Sequence, residues 1–529
     1  MPWGLILSLG VLGLLFYWPL ARVLGLAGVR WQLDAADGAA IWFTIWQAAL
    51  STLLALGLSL PVAHLLYRRR FKGRALLRAI VSVPFVLPVV VVAIGFAALR
   101  RWLEPVSLDG VSAAVASGEA SIPWIIAAHV FFNLAVAVRS VGAVWASLDA
   151  EVLEAARLDG VSRWSSFWLV QLPQLRGALA GAGALIALYC LGSFGTVLFI
   201  GGGLVHSIET EMFFATTRFL DLPHTASLAL VQLALGGLVF WLSGVISARQ
   251  TSVGAEASGG SLVTSRDWFS VLATLGVTLT LVAPVLAVVF ASFGFGADAA
   301  PNLRNFSNLT GFGARDLLNV SVLEAAGNSV RNLAVSLIVG FGGGVFVARS
   351  LWDSRRTKWQ GLFLAPLAVS SVVLGLGYLL GFAEPPLALR ESWLAVPLAQ
   401  SLVILPLVIR LVLAGLEAAD RNLSEAAAVD GASGWNIWWQ IEFPQLRQSL
   451  ATAAVFAGLA AIGEFGAASL LVYGDQETLP TILYRLIARP GVENFGMALA
   501  AATLMIAVAL TAVAALGAIG ETERRSRRR

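Results

Sequence analysis

The chain has 529 residues, of which 58% are hydrophobic and 12% carry a charge, with a formal net charge of +4. Soluble globular proteins are about 25% charged, so this composition excludes an ordinary soluble domain and indicates a polytopic membrane protein. The single cysteine, Cys190, excludes a disulfide framework and a cysteine-based metal site. Neither Lys72 nor Lys358 stands in a G-K-[ST] phosphate loop, so we expect no nucleotide site, no cofactor and no nucleic-acid partner.

Apolar runs of about 20 residues recur along the chain, and each is long enough for one transmembrane helix. The first half is predicted to hold six spans, at Trp3–Leu26, Ile41–Leu66, Leu77–Leu99, Ile122–Val144, Gly177–Ile200 and Ser227–Ile246. The second half is predicted to hold six more, at Trp268–Phe293, Ser329–Val347, Gly361–Phe382, Trp393–Leu413, Leu450–Leu471 and Phe495–Ile519. The predicted fold class is therefore all-α, with about 12 transmembrane helices and both termini on one side.

The distribution of basic residues predicts on which side of the membrane the termini lie, because basic loops favour the cytoplasm. They cluster after the second span, after the eighth span and in the tail, at Arg68, Arg69, Arg70, Lys72, Arg74, Arg78, Arg349, Arg355, Arg356, Lys358, Arg524, Arg525, Arg527, Arg528 and Arg529. All three clusters share one side if both termini are cytoplasmic, and only Arg100 and Arg101 argue against this orientation.

A stretch rich in serine and glycine, Arg249–Asp267, separates the two halves. It lacks apolar periodicity, so we expect a flexible cytoplasmic linker. The predicted domains are then residues 1–248 and 268–529, joined by residues 249–267.

The most polar loop of each half is a copy of the other. EAARLDGVSRWSSFWLVQLPQLR, from Glu154 to Arg176, recurs as EAAAVDGASGWNIWWQIEFPQLR, from Glu425 to Arg447, with matching residues 271 positions apart. A long polar match at one offset indicates an internal duplication. In each copy we expect a short helix capped by Asp149 or Asp420, a glycine turn and a second helix with an aromatic face. The loops are predicted to span residues 149–176 and 420–447, on the cytoplasmic side.

The span after each loop contains a matched triplet, Ser193–Gly195 and Glu464–Gly466, with the sequences SFG and EFG. A carboxylate in an apolar span is costly. Glu464 is therefore either a functional group, such as the countercharge of a cationic substrate, or a structural group bonded to a neighbouring helix. The candidate residues of a substrate pathway are Phe194, Tyr378, Glu464 and Phe465.

Other clusters are read as structural. Two histidines share one outer loop with three carboxylates, at His206, His224, Glu209, Glu211 and Asp221. We interpret this loop as a solvated surface, with a metal site as the alternative. The glycine run Gly342–Gly344 indicates close helix packing, and Gly201–Gly203 indicates a turn at a membrane edge.

The pattern E-A-A, then glycine, then a hydrophobic residue and proline resembles the cytoplasmic loop of ABC-importer permease subunits. Both copies match it, with Pro173 and Pro444 as the closing prolines. In that family the loop forms a coupling helix that docks into a groove on the ATPase subunit. The resemblance implies that the ATPase-coupling residues are Glu154, Ala155, Ala156, Asp159, Gly160, Glu425, Ala426, Ala427, Asp430 and Gly431.

Further motifs resemble the fused two-half permeases for thiamine and the related ferric-iron permeases. These motifs are AHVFFNLAVAVR (Ala128–Arg139), SFGTVLFIGGG (Ser193–Gly203), IGEFG (Ile462–Gly466) and ETLPTILY (Glu477–Tyr484). The resemblance covers nearly the whole chain. It implies two six-helix halves of the type I importer fold, two ATPase copies below and an extracytoplasmic solute-binding protein above.

The same resemblance implies a bacterial cytoplasmic (inner) membrane protein that is a transporter and not itself an enzyme, with ATP hydrolysis on the partner subunit. Its expected small-molecule substrate is thiamine or a thiamine phosphate, and ferric iron is the alternative. An ion-coupled secondary transporter also uses internal repeats, but these are often inverted, whereas six spans per half make this repeat parallel. An intramembrane enzyme is disfavoured because the sequence shows no clustered His, Ser or Asp set.

Overall fold

The computed structural model describes residues 3–103, 119–148, 150–247, 261–294, 301–354, 359–384, 388–489 and 491–527. Within these ranges nearly all regular structure is helical, and the strands are one pair of two-residue segments. The prediction of an all-α polytopic membrane protein is confirmed.

The first half begins with helices that run from the N-terminus to the first repeated loop. They are α1 (Trp3–Leu12), α2 (Trp18–Val29), α3 (Ala35–Arg68), α4 (Arg74–Ser82), α5 (Val89–Leu103) and α6 (Ile122–Ala146), with strand β1 (Arg69–Arg70) after α3. The loop and the elements after it are α7 (Ala150–Leu158), α8 (Arg163–Ser166), α9 (Leu172–Leu191), α10 (Phe194–Gly201), α11 (Ile208–Phe214) and α12 (Leu222–Ser247). Short π-helical turns join α1 to α2, α8 to α9 and α11 to the following turn, at Gly13–Tyr17, Phe167–Gln171 and Ala215–Phe219.

The second half repeats this order. It opens with strand β2 (Ser261–Leu262) and continues with α13 (Trp268–Ser292), α14 (Arg304–Ser307), α15 (Val322–Ser336), α16 (Gly342–Ser354), α17 (Gln360–Leu364), α18 (Ser371–Gly381) and α19 (Ala395–Ala418). The second loop and the elements after it are α20 (Arg421–Val429), α21 (Gly434–Ile437), α22 (Phe443–Ile462), α23 (Gly466–Leu471), α24 (Leu479–Ala488) and α25 (Val492–Arg527). Its π-helical turns are Leu337–Phe341 and Trp438–Glu442.

Ten described helices, some continuing through a π-helical turn, are long and apolar enough to cross a membrane. An eleventh candidate is bent by 101° between Gln360–Ala368 and Ser371–Gly381. The predicted span Leu77–Leu99 is also broken, because α4 ends at Ser82 and α5 begins at Val89. The expectation of uninterrupted helices at these two places was wrong. Prolines at or just before both breaks lack the backbone N–H that a continuing helix needs.

Two other predicted spans are interrupted at equivalent positions. Gly177–Ile200 stops at Leu191 and resumes as α10, and Leu450–Leu471 stops at Ile462 and resumes as α23. Each interruption falls on the matched SFG or EFG triplet. The repeat therefore includes these breaks as well as the loops.

The first span of each half packs against the other half. Helix α13 contacts α3 and α5, and α2 contacts α18. Small residues permit this approach: a Cβ added at Gly95 would lie 2.8 Å from the carbonyl oxygen of Pro284, and one at Gly377 would lie 3.1 Å from Cβ of Pro19. Residues larger than glycine would push these helices apart. The two halves thus interlock around a shared centre.

The end of the predicted linker, Ser261–Asp267, is folded. Strand β2 pairs in parallel with β1 of the first half. The guanidinium Nη2 of Arg69 lies 2.8 Å from Oδ1 of the buried Asp267. Burial by itself would raise the pKa of Asp267, but hydrogen bonds from Thr264 and Arg69 lower that pKa below its usual range. The remainder of the predicted linker lies outside the described residues.

Cutting the chain between Gly254 and Ala255 and co-expressing the two fragments is expected to give a complex that co-purifies from the membrane. The interlocked helices and the Arg69–Asp267 contact hold the halves together without a covalent link. Arg69→Ala in the split protein is expected to reduce recovery of the complex, because it leaves the buried Asp267 carboxylate without its charged partner. Arg70→Ala, on the exposed neighbour, is the control. Fragments that are each stable in the membrane but never co-purify would contradict this prediction.

Candidate functional site: two loops and an aromatic axis

The repeated loops fold alike. Helices α7 and α20 are each followed by a glycine with positive φ, +76° at Gly160 and +82° at Gly431. The backbone N–H of Val161 donates to the carbonyl of Ala156 at 3.0 Å, and that of Ala432 donates to Ala427 at 3.0 Å. This is the usual way in which glycine ends a helix. The predicted order of helix, glycine turn and second helix is confirmed in both copies.

Of the two predicted helix caps, the structure describes only Asp420. The Asp420 side chain accepts a hydrogen bond from the N–H of Asn422 at 3.0 Å at the start of α20. Asp149 lies outside the described residues. Asp420 therefore caps its helix as predicted.

Matched positions of the two loops expose apolar side chains to a similar degree. Leu158 is 89% exposed and Val429 is 88% exposed, while Trp164 and Trp435 are 71% and 69% exposed. Among the predicted coupling residues, Ala156 and Ala427 are half-buried and the others are exposed, at Glu154, Ala155, Asp159, Gly160, Glu425, Ala426, Asp430 and Gly431. Each loop therefore presents two large apolar side chains to the exterior of the chain.

Basic residues of the first two predicted clusters contact the second loop or the segment just before the first loop. Arg68 donates from Nη1 to the carbonyls of Trp145 and Leu148 at 3.2 and 3.3 Å, just before the first loop. Arg349 forms an ion pair with Glu442 inside the second loop. The first two basic clusters therefore lie on the same side of the molecule as the loops. The side on which the termini lie stays a prediction.

A single helix runs from each loop to the centre of the molecule. Helices α9 and α22 each have 20 residues, a length of about 30 Å. The first ends at Leu191, three residues before Phe194, and the second ends at Ile462, three residues before Phe465. One helix therefore connects each loop to the break beside one of these two phenylalanines.

Phe194 and Phe465 stack on each other across the molecular centre. Their ring centroids are 5.3 Å apart and their planes differ by 6°. Only 2% of Phe194 and 4% of Phe465 is exposed. Because the two residues are equivalent in the repeat, their contact marks the pseudo-twofold axis between the halves.

Three more rings surround this pair. Phe199 lies 5.1 Å from Phe465, Phe213 lies 5.3 Å from Phe194, and Tyr484 lies 5.6 Å from Phe465. We call these five rings the axial cluster. Four of the five rings occupy equivalent positions of the repeat, because Phe213 and Tyr484 are 271 residues apart, like Phe194 and Phe465. Sequence reasoning missed Phe199, Phe213 and Tyr484, and for the latter two the offset was the available signal.

Glu464 and Tyr378 have different surroundings. Both oxygens of Glu464 accept hydrogen bonds from its own following helix, from Ala467 N–H at 2.8 Å and from Ala468 N–H at 3.2 Å. This geometry favours the structural interpretation of Glu464. Tyr378 is buried with its ring 5.0 Å from Phe382, in a hydrophobic core built mostly by the second half. The structure thus brings Phe194, Glu464 and Phe465 together and places Tyr378 elsewhere.

The outer-loop histidines are separated in the fold. Nδ1 of His206 lies 2.5 Å from Oε1 of Glu211, and Nε2 of His224 lies 3.0 Å from Oδ1 of Asp37. Glu209, which the sequence placed in the same loop, is 1% exposed. The interpretation of this loop as a solvated surface is therefore wrong for the buried Glu209, whereas His206 and Glu211 are partly exposed. The two histidines lie in separate contacts, and Asp221 Oδ1 accepts a hydrogen bond from the backbone N–H of His224 at 3.1 Å.

Comparisons with known proteins agree with this architecture. The profile of the family described as binding-protein-dependent transport system inner membrane component matches residues 54–253 and again residues 340–521. The chain is 28% identical over 486 residues to the thiamine transport system permease protein of Escherichia coli, which covers 86% of this chain and 87% of that protein.

Two further relatives are similar over a comparable length. The thiamine transport system permease protein of Brucella suis is 26% identical, with 89% of this chain and 86% of that protein covered. A probable ABC transporter permease protein of Sinorhizobium fredii is 25% identical, with 90% and 86% covered. Since the family profile matches most of the chain and matches it once in each half, the chain belongs to the family of binding-protein-dependent transport system inner membrane components.

Proposed function

We propose that this chain is the permease of an ATP-binding-cassette importer that carries thiamine or a thiamine phosphate into the bacterial cytoplasm. The observation that carries the proposal is the similarity to thiamine permeases over 86% of the chain, with the family domain present in each half. Transport, and not catalysis within the chain, is the activity of this family.

The partners follow from the family and from the two ends of the molecule. Two copies of an ATPase subunit bind the repeated loops, which present matched apolar side chains at Leu158 and Val429. A solute-binding protein delivers the substrate at the opposite end. Both termini and both loops then lie in the cytoplasm, on the side of the basic clusters, and the permease lies in the inner membrane.

The mechanism uses the direct link between loops and axis. ATP-driven closure of the ATPase pair moves the two loops toward each other. Helices α9 and α22 transmit this movement to the breaks beside Phe194 and Phe465. The stacked rings separate, and the solute passes between the halves by alternating access.

The axial cluster suits an aromatic cation. Thiamine carries a positive charge and two heteroaromatic rings, and contact between a cation and an aromatic face is worth about 0.5–2 kcal/mol. Ferric iron, the alternative substrate, instead prefers several oxygen ligands, and the axis of this molecule is lined by the rings of Phe194, Phe199, Phe213, Phe465 and Tyr484. The chemistry of the pathway therefore favours thiamine.

Gly160→Val is expected to lower ATP-driven uptake several-fold without unfolding the permease. A side chain at φ +76° costs about 1–2 kcal/mol and distorts the turn, although a Cβ there meets nothing within 4 Å. Gly73→Val is the matched control, because Gly73 also has positive φ and open space but lies outside both loops. ATPase pull-down and uptake are measured together. Equal loss in both variants would contradict a special role for the loop.

Uptake of labelled thiamine and labelled ferric iron into vesicles tests the proposed substrate. The vesicles contain this permease with its ATPase and its binding protein. We expect ATP-dependent thiamine uptake and no iron uptake. Iron uptake without thiamine uptake would overturn the thiamine proposal in favour of the iron alternative, whereas uptake of either solute that does not depend on ATP would favour a secondary transporter.

A further inference from the structure

Helices α11 and α24 begin in the same way. Before α11, the N–H of Ser207 donates to Oγ1 of Thr210 at 2.7 Å, and the N–H of Thr210 donates to Oγ of Ser207 at 3.3 Å. The residues 271 positions later, Thr478 and Thr481, form the same capping box before α24. Each box satisfies two of the N–H groups that a helix start leaves free. The first N–H inside each helix needs a different acceptor.

A hydroxyl from another helix accepts that first N–H in both halves. The N–H of Ile208 donates to Oγ1 of Thr44 in α3 at 3.0 Å. The N–H of Leu479 donates to Oγ of Ser329 in α15 at 2.8 Å. Thr44 is 1% exposed and Ser329 is 5% exposed. An N–H without an acceptor is costly away from water, so each hydroxyl stabilises the start of the helix that it contacts.

The two hydroxyls belong to matched rows of buried polar side chains. The rows are Thr44, Gln47 and Ser51 in α3, and Ser329, Asn332 and Ser336 in α15. Their spacing places each row on one face of its helix. Matching members are 285 positions apart, so the offset of 271 does not reveal them.

The far ends of the rows also make equivalent contacts. Oγ of Ser51 lies 3.2 Å from Nδ1 of His129, and Oγ of Ser336 donates to Oε1 of Gln400 at 3.1 Å. His129 and Gln400 are themselves 271 positions apart. Buried polar side chains in an apolar span are costly, so a row that recurs with its contacts indicates a common role.

The helices that the two hydroxyls hold each carry a ring of the axial cluster. Phe213 follows Ile208 by five residues in α11, and Tyr484 follows Leu479 by five residues in α24. The centroids of these two rings are 6.0 Å apart and their planes differ by 86°. The hydroxyl contacts therefore fix the helix starts from which both rings project.

The helices that carry the polar rows also reach the repeated loops. Helix α3 has 34 residues, a length of about 50 Å. It ends at Arg68, which donates to the carbonyls just before the first loop. Helix α15 continues through its π-helical turn into α16, where Arg349 pairs with Glu442 of the second loop. Each row-bearing helix thus contacts a loop region at one end and a ring-bearing helix at the other.

We propose that Thr44 and Ser329 are positioning residues for the ring-bearing helices α11 and α24. Through them, α3 and the α15–α16 helix form a second connection between each loop and the axial cluster, beside α9 and α22. The proposal rests on the proposed transport pathway along the axis. Neither hydroxyl is assigned to the substrate: each keeps a ring-bearing helix attached to a helix that reaches a loop.

Hydrogen exchange gives a test that does not depend on transport. Thr44→Val keeps the shape of the side chain and removes the acceptor. We expect it to speed amide exchange in residues 208–214 about three- to tenfold, as for the loss of one hydrogen bond, and to leave residues 479–488 unchanged. Ser329→Ala is expected to do the reverse. Thr44→Ser is expected to restore slow exchange, because serine also supplies a hydroxyl.

The matched control is Thr52→Val. Thr52 lies in the same helix as Thr44, and its hydroxyl donates to the carbonyl of Ala48 in that helix at 2.7 Å. We expect native exchange in residues 208–214 of this variant, because it leaves the contact between α3 and α11 intact.

Cross-linking separates a positioning role from helix capping alone. Phe213→Cys and Tyr484→Cys are introduced together in a Cys190→Ala background, and a short bifunctional thiol reagent joins them. We expect ATP and loaded binding protein to slow this reaction. Thr44→Val is expected to remove most of that response to ATP while the ATPase still co-purifies, and Thr44→Ser is expected to retain it.

Unchanged exchange in residues 208–214 of Thr44→Val would overturn the proposal. Faster exchange with a full response to ATP would also overturn it, because the hydroxyl would then only cap α11. A Thr44→Ser variant that melts like the native protein but restores neither measurement would do the same. If the native permease carries no thiamine, the proposed substrate fails, while exchange and cross-linking still decide the role of the two hydroxyls.

Discussion

Replacing Leu158 and Val429 together with aspartate is expected to abolish ATPase binding and ATP-driven uptake while the permease stays folded. The two side chains are 89% and 88% exposed, so the change removes little packing within the chain. In a complex they would be covered, and burying an unpaired carboxylate costs several kcal/mol. Two such charges are expected to weaken the ATPase complex by at least a factor of about 100.

The measurement is co-purification of the ATPase together with the thermal stability of the permease. Leu262→Asp is the control, because Leu262 is 74% exposed at the same end of the molecule and lies outside both loops. A double variant that still binds its ATPase and imports solute would show that the two loops are not the docking surface.

Replacing Phe194 and Phe465 with alanine is expected to open a leak. Removing a buried phenylalanine typically costs about 3–5 kcal/mol, and the stacked geometry adds about 0.5–1.5 kcal/mol. Both losses fall on the axis, where the rings fill the path between the halves. We expect vesicles containing the double variant to lose thiamine without ATP, and ATP hydrolysis to continue without loaded binding protein.

The control for this double variant is a substitution that creates a cavity away from the axis. Phe363 is fully buried in the core built mostly by the second half, so Phe363→Ala costs stability without opening the axis. The contradicting result is a double variant of Phe194 and Phe465 that shows no thiamine leak, normally coupled ATP hydrolysis and only a lowered melting temperature. That result would show that the stack is structural packing and does not close the pathway.

The duplication could be detected in the sequence because matching polar residues recur at one constant spacing. Glu154 and Glu425, or Gly160 and Gly431, cannot be matched by hydrophobicity alone. The same polar positions gave the glycine turns, since a helix end requires a residue that tolerates positive φ. Fold class, halves and loops were therefore predictable.

The broken spans were not predictable from hydrophobicity. A window of apolar residues reports that a segment suits the membrane, but not that its helix is interrupted. Pro88 and Gly192 remain apolar or small in such a window, although both stand at breaks. The axial cluster depends on these breaks. Phe199 could not be assigned to it, because it lies outside the matched triplets and its counterpart at the constant offset is Leu470.

Glu209 was missed for a related reason. Its neighbours His206 and Glu211 are polar, and together they read as an exposed outer loop. In the fold, α11 turns inward and buries Glu209. Burial of a charged residue depends on contacts between distant parts of the chain, here with Gln232, and local sequence does not contain them.

The central claim is that ATP opens a pathway at the pseudo-twofold axis, and cross-linking across that axis tests it most directly. Phe194→Cys and Phe465→Cys are introduced together in a Cys190→Ala background, with each single cysteine as a control. A short bifunctional thiol reagent is expected to join the two positions without nucleotide, to stop uptake, and to react much less when ATP and loaded binding protein hold the pathway open. Cross-linked permease that imports thiamine at the normal rate would contradict the account.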